Sequence, residues 1–285
     1  MTTNISKIIT VICICMMIAC SNEVDFGEQY KKTVYIVNSN EWLYTGHHFF
    51  DTTNDEIVVS VYCASTKPIT SELRTRFKID RLALDSLNNL FLSVDPSYIS
   101  KVMLPPSNYQ LDGELYTTIK AGEQYGILRI PFNFADLDPD VAFALPVTLV
   151  SNSADYDINY SLRSIVYEIR MENKYSGDYA GSSQESPTVI RGVQPVLRAL
   201  SSNTVRMPIH NLSSDRLNIN TNFMILTIDS DGSVAISPWA SANVTDLGDS
   251  FYDATTQTFE LNYSFTNIAG NTFTISQIIT NINKN

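Results

Sequence analysis

The 285-residue chain is poor in the residues that most often announce a chemistry. It has four cysteines, three histidines and two tryptophans. Cys13 and Cys15 fall inside an apolar leader and Cys20 at its end, so the body retains Cys63 alone and can form no internal disulfide. Cys63 is in phase with Val59 and Val61, which marks it as a small buried hydrophobe rather than a reactive thiol. His47 and His48 are adjacent, so on a strand they face opposite ways, and His210 is remote; no metal site is expected from them. Basic residues are also scarce, 19 Lys and Arg against 30 Asp and Glu, for a net charge of −11. That balance argues against nucleic acid and against lying flat on an anionic membrane surface. There is no Gly-x-Ser-x-Gly, no His-Glu-x-x-His and no phosphate loop, and nothing selects a catalytic pair among the acids. Asp136, Asp138 and Asp140 alternate as calcium ligands could. The loop lacks the glycine and the twelfth-position acid, so a solvated acidic loop is the better reading. The chain is expected to be non-enzymatic and to need no cofactor.

One long apolar run is present, at the N-terminus. Lys7 precedes Ile8 to Ile18, a stretch of signal-peptide length that is short for a membrane span. Met17-Ile18-Ala19-Cys20 ends it with a small residue before cysteine and resembles a bacterial lipobox. The resemblance implies cleavage after Ala19, acylation of Cys20 and a lipid anchor in the outer membrane. Residues 20–30 then read as an acidic tether. Glu23, Asp25 and Glu28, spaced by Val24 and Phe26 shortly after the cysteine, partly resemble the surface-export signal of Bacteroidota lipoproteins, which implies an outward-facing protein.

The rest is patterned as strands. Lys32 to Val37, Ile57 to Ala64, Tyr125 to Ile130, Ala142 to Val150 and Arg163 to Met171 are β-branched and aromatic runs parted by Gly, Pro, Asn and Asp. Ser107 to Gly122 reads as a turn-rich hairpin region with turn points at Gly113 and Gly122. One helix is expected over Arg81 to Leu92, capped by Asp80, with Leu84, Leu87, Leu90 and Phe91 at helical spacing. The texture changes at Glu172 to Gly181, where turn formers alternate with tyrosine. This divides the chain into a leader (1–19), a tether (20–30) and two domains (31–172 and 173–285). In the second domain Ser230-Asp231-Gly232 signals a hairpin, and Thr258 to Phe265 alternates cleanly with Phe259, Leu261, Tyr263 and Phe265 inward. About eight short strands in series suggest an up-and-down barrel or meander.

Ile119-Lys120-Ala121-Gly122-Glu123, Leu137-Asp138 and Phe143 to Leu149 resemble the immunoglobulin-like N-terminal domain of Bacteroidota surface lipoproteins, a family without an assigned function. Asn173 to Tyr179 and Tyr252 to Tyr263 resemble the β-barrel domain that often follows it. The resemblance implies an all-β chain: a sandwich with one short helix, then a lipocalin-like antiparallel barrel. It carries no catalytic residue.

The remaining candidates are aromatic. Trp42, with Tyr44 in phase on a strand, and Trp239, beside Pro238, Ser237, Ser241 and Asn243, could offer flat faces to a sugar. Each tryptophan could equally fill core. The expected role is glycan or other ligand binding at the cell surface. The alternative is a structural or adhesive subunit of a fimbria-like assembly, with surface proteins as partners.

Overall fold

The computed structural model describes residues 27–50, 55–134, 137–186 and 189–283. The leader, Cys20 and most of the tether lie outside them, as does Asp136. Among the described residues no helix is long and apolar enough to cross a membrane.

The first domain is a sandwich. One four-stranded sheet runs β7-β3-β1-β9, built from β1 (Thr33–Ile36), β3 (Asp55–Ala64), β7 (Tyr125–Phe132) and β9 (Asp157–Ile158). The facing six-stranded sheet runs β2-β10-β8-β4-β6, from β2 (Leu43–Phe49), β4 (Leu73–Ile79), β6 (Tyr116–Ile119), β8 (Phe143–Asn152) and β10 (Ser164–Glu172). β5 (Val102–Met103) adds to β8 in parallel. Period-two alternation fixes which residues meet between the sheets: Ile57, Val59, Val61 and Cys63 from one strand pack with Phe77, Leu145, Val147 and Ile165 from the other sheet. Cys63 is buried, as its phase requires.

Phe143 to Leu149 is buried without alternation because both faces of β8 are covered. Helix α1 (Arg81–Val94) lies on the outer face, packing Leu84 and Leu87 against Ala144 and Val166. Leu90 is half exposed, and Asp80 makes no side-chain cap; its carboxylate pairs with Lys78 Nζ at 3.1 Å instead. The Ser107–Gly122 region is not a self-contained hairpin either. Its strand, β6, pairs with β4, while Gly113 and Gly122 do turn with positive φ.

The second domain is a ten-stranded antiparallel sheet that nearly closes. Its strands are β11 (Gly177–Ser186), β12 (Val189–Val193), β13 (Val196–Ala199), β14 (Thr204–Pro208), β15 (Phe223–Ile228), β16 (Val234–Pro238), β17 (Val244–Asp246), β18 (Phe251–Asp253), β19 (Thr258–Thr266) and β20 (Thr272–Asn281). β11 pairs with β20 along one edge and with β12 and then β13 along the other. β17 and β18 share β19 in the same broken fashion. The seam beside β16 is closed by a Ser233–Phe251 bridge, with Tyr252 N–H donating to Gly232 O at 2.8 Å. Phe259, Leu261, Tyr263 and Phe265 all point into the barrel core. The Ser230-Asp231-Gly232 turn joins β15 to β16 with Gly232 at φ 91. A 3-10 turn (Arg216–Asn218) and a single-turn helix, α2 (Ile219–Asn222), precede β15, and alternation foretold neither.

Candidate functional site

The strand β10 reads Ser-Ile-Val-Tyr-Glu-Ile-Arg-Met-Glu. Its apolar members Ile165, Tyr167, Ile169 and Met171 enter the sandwich core. The opposite row, Val166, Glu168, Arg170 and Glu172, passes from beneath α1 into the open. There it forms the floor of a cleft of about 670 Å³ between the two domains. Ile99, Lys101 and the Pro139–Ala142 segment form one wall; Ser176 to Asp178, Val196 to Ala199, Asn281 and Asn283 form the other.

The cleft is polar and partly paired. His47 Nδ1 is 2.7 Å from Glu172 Oε1, and Lys101 Nζ is 2.5 Å from Glu168 Oε1. Thr45 Oγ1 donates to the other oxygen of Glu168 at 3.0 Å. Asn283 Nδ2 donates to Asp178 Oδ2 at 3.0 Å. Arg170 and Arg198, one from each domain, carry no ion pair among the described residues. Planar guanidinium, carboxylate and amide groups therefore converge from both sides on a space large enough for a small ligand.

The two domains are pinned beside this space. Arg206 of β14 is 1% exposed, and its Nη1 donates to Asp140 Oδ2 at 2.6 Å while Nη2 reaches Oδ1. The guanidinium is held between Phe223 and Trp239, 5.1 Å and 4.6 Å from the ring centroids. Asp140 is thus the acid of an interdomain pair, and Asp138 Oδ1 accepts from its backbone N–H at 2.8 Å. These two carboxylates are engaged by protein groups.

The sequence candidates are scattered. Trp239 is half buried, with its indole against Arg206, so part of its surface belongs to the domain interface. Trp42 is 45% exposed but is not on a strand with Tyr44: it sits in the turn before β2 at φ 63, which breaks the expected phase. Tyr44 lies on β2 and packs on Tyr167, ring centroids 5.2 Å apart. No two-ring strip forms from Trp42 and Tyr44, and neither residue lines the cleft. His47 and His48 do face opposite ways. His47 lines the cleft, while His48 is buried between Asp55 and Tyr167.

Two hydrogen-bonded sets resemble nucleophilic triads on paper. In the sandwich, Asp55 Oδ1 lies 2.9 Å from His48 Nδ1, and His48 Nε2 lies 3.1 Å from Tyr167 OH. Burial pushes the Tyr167 hydroxyl up to about 12. In the barrel, Ser183 Oγ lies 2.6 Å from His210 Nδ1, with Glu185 3.9 Å from Nε2. Both hydroxyls are buried and neither Tyr167 nor Ser183 lines the interdomain cleft, so they serve as internal ties between strands. Sequence reasoning missed the cleft residues because they become neighbours only through the domain packing. The alternating charged row of β10 was the one available signal.

A family model for an N-terminal domain matches residues 30–156, and one for a C-terminal domain matches residues 163–280. No curated protein matches the sequence. Among solved structures, a protein of unknown function from Bacteroides ovatus superposes with a TM-score of 0.64 at 14% identity, over 87% of this chain and 93% of its own. A multidomain protein including DUF1735, from the same organism, gives 0.63 at 15% identity, over 89% and 93%. An auxiliary nutrient binding protein from Bacteroides thetaiotaomicron gives 0.56 at 14% identity, over 84% and 91%. The chain has their two-domain, all-β fold. At such identities it is the architecture that is shared, and the likeness spans both domains of each.

Proposed function

We propose that the chain is a non-enzymatic, lipid-anchored protein of the bacterial outer surface that captures an extracellular glycan in the cleft between its domains. The observation that carries this reading is the cleft itself, about 670 Å³, into which both domains extend charged and amide side chains. Sugars present rings of hydroxyls, and planar Arg, Asp, Glu and Asn groups bind them in pairs. Arg170 and Arg198 have donors to spare for that purpose. A nutrient-binding protein of the same fold supports the reading by analogy. The anchor rests on the Met17–Cys20 sequence and the acids after it.

The mature chain titrated calorimetrically against host and plant oligosaccharides is expected to bind at least one, and Arg170→Ala or Arg198→Ala to weaken that binding. Absence of binding to every glycan, together with self-association of the mature chain, would favour the assembly-subunit alternative. Mass spectrometry of the mature N-terminus is expected to find Cys20 acylated, and Cys20→Ala to release the protein from membranes. A soluble protein starting beyond Cys20 would reject the anchor.

A further inference from the structure

The outer face of the β7-β3-β1-β9 sheet lies away from the cleft. On it Tyr35 of β1 is the cross-strand partner of Tyr62 of β3, and Tyr62 is the partner of Tyr125 of β7. The ring centroids are 5.4 Å and 4.6 Å apart. Their chain neighbours Val34, Ile36, Val61, Cys63 and Gly126 are buried, which turns all three rings outward in one row across the strands. The middle ring is fixed by its hydroxyl, which donates to Gln124 Oε1 at 3.1 Å. Tyr125, at the end of the row, is 57% exposed, and Val58 and Ile127 extend the open apolar surface beside it.

We propose that Tyr35, Tyr62 and Tyr125 form a stacking platform for a neutral polysaccharide, separate from the cleft. The proposal rests on the reading of the chain as a glycan-capturing protein and supplies it with a second contact, an aromatic row whose neighbouring ring planes are tilted by 60° and 51°. The C–H faces of sugar rings pack on aromatic faces, and tyrosine adds a hydroxyl that hydrogen-bonds at the sugar's edge. Strand spacing sets successive rings about 4.8 Å apart, comparable to one sugar unit along an extended chain. The ring positions are set by the sheet and each side chain has few torsions to freeze, so ordering costs on binding are small. Further along the same two strands Arg129 and Glu56 pair with each other, Arg129 Nη1 standing 2.8 Å from Glu56 Oε2. A chain of net charge −11 repels polyanions. A neutral polymer fits this face where nucleic acid or an anionic polysaccharide does not. Tyr125 packs on Tyr62 on one side and keeps more than half of its surface open to solvent.

Electrophoresis of the mature chain through gels containing a soluble β-glucan, mannan or xylan tests the platform, with thermal unfolding to verify that each variant is folded. The parent is expected to be retarded by at least one polymer. Tyr125→Ala, or Tyr125→Gln should the first not fold, is expected to weaken that affinity roughly tenfold, and Tyr125→Phe to keep most of it. Tyr35→Ala is expected to weaken it as well. Folded Tyr125 variants retarded as strongly as the parent overturn the platform. If Arg198→Ala alone abolishes retardation, the platform fails and the cleft reading stands; if no glycan binds the parent, both fail.

Discussion

Arg206 shows how far one side chain can shape a molecule. A guanidinium taken out of water is tolerated because Asp140 meets it with both oxygens and two aromatic faces cover its planes. Asp140→Ala leaves that charge buried and alone. We expect a loss of about 3–5 kcal/mol, read from chemical denaturation, and a much smaller loss when Arg206→Met is added, because the unpaired charge is then gone as well. His210 makes a second residue-scale prediction. Burial is the main cause that lowers its pKa below the usual value of about 6.5, with Arg191 adding to the shift and Glu185 opposing it. As pH falls through about 6.5, the unfolded chain takes up a proton that the folded barrel refuses. Stability therefore declines with acid until the folded histidine itself titrates, and is fully present above that range. Measured unfolding free energies should fall from pH 7 toward pH 5, with a shallower fall in His210→Gln. An unchanged slope in that variant would remove His210 as the cause.

At the level of elements, two glycines mark where strands or rings approach too closely for a Cβ. A methyl at Gly46 of β2 would overlap the Tyr167 ring, and one at Gly181 of β11 would overlap the backbone oxygen of Ile278 on β20. Gly46→Ala must displace Tyr167 and break its contact with His48, and Gly181→Ala must spread a barrel ladder. Each is expected to cost about 1–3 kcal/mol, the first in the sandwich transition and the second in the barrel transition of a calorimetric scan. The elements themselves were largely legible. Alternation gave β3, β7 and β19 to within two residues at each end, because each has one face in a core and one in water. β4 was missed because Leu73, Thr75 and Phe77 alternate with two arginines and a lysine, so its apolar row is thin. Trp42 misled for a related reason: alternation assumes extended backbone, and its positive φ ends the strand before it. The cleft was not legible, since Arg170 and Arg198 stand 28 residues apart on strands of different domains.

For the whole molecule, the junction between domains is built rather than loose. Asn173 is buried; its amide donates to Ser201 O at 2.6 Å and to Thr204 O at 3.0 Å, and its Oδ1 accepts from the N–H groups of Tyr175 and Ser176. Tyr175 is buried against Tyr252. The turn-rich texture at 173–177 therefore marks a pinned corner, and limited proteolysis of the native protein is expected to spare it. Early cleavage there would show that the corner opens.

With Arg206 and Asp140 clasped, the gap between the domains has one width. On the proposed reading, a ligand arriving at the cleft is expected to meet it already set, with no closing step. Stopped-flow association should then follow a single exponential whose observed rate rises linearly with ligand concentration and reaches no plateau. Loosening the clasp with Asp140→Ala should bend that line toward a ceiling, the rate at which a wandering pair of domains finds its working spacing.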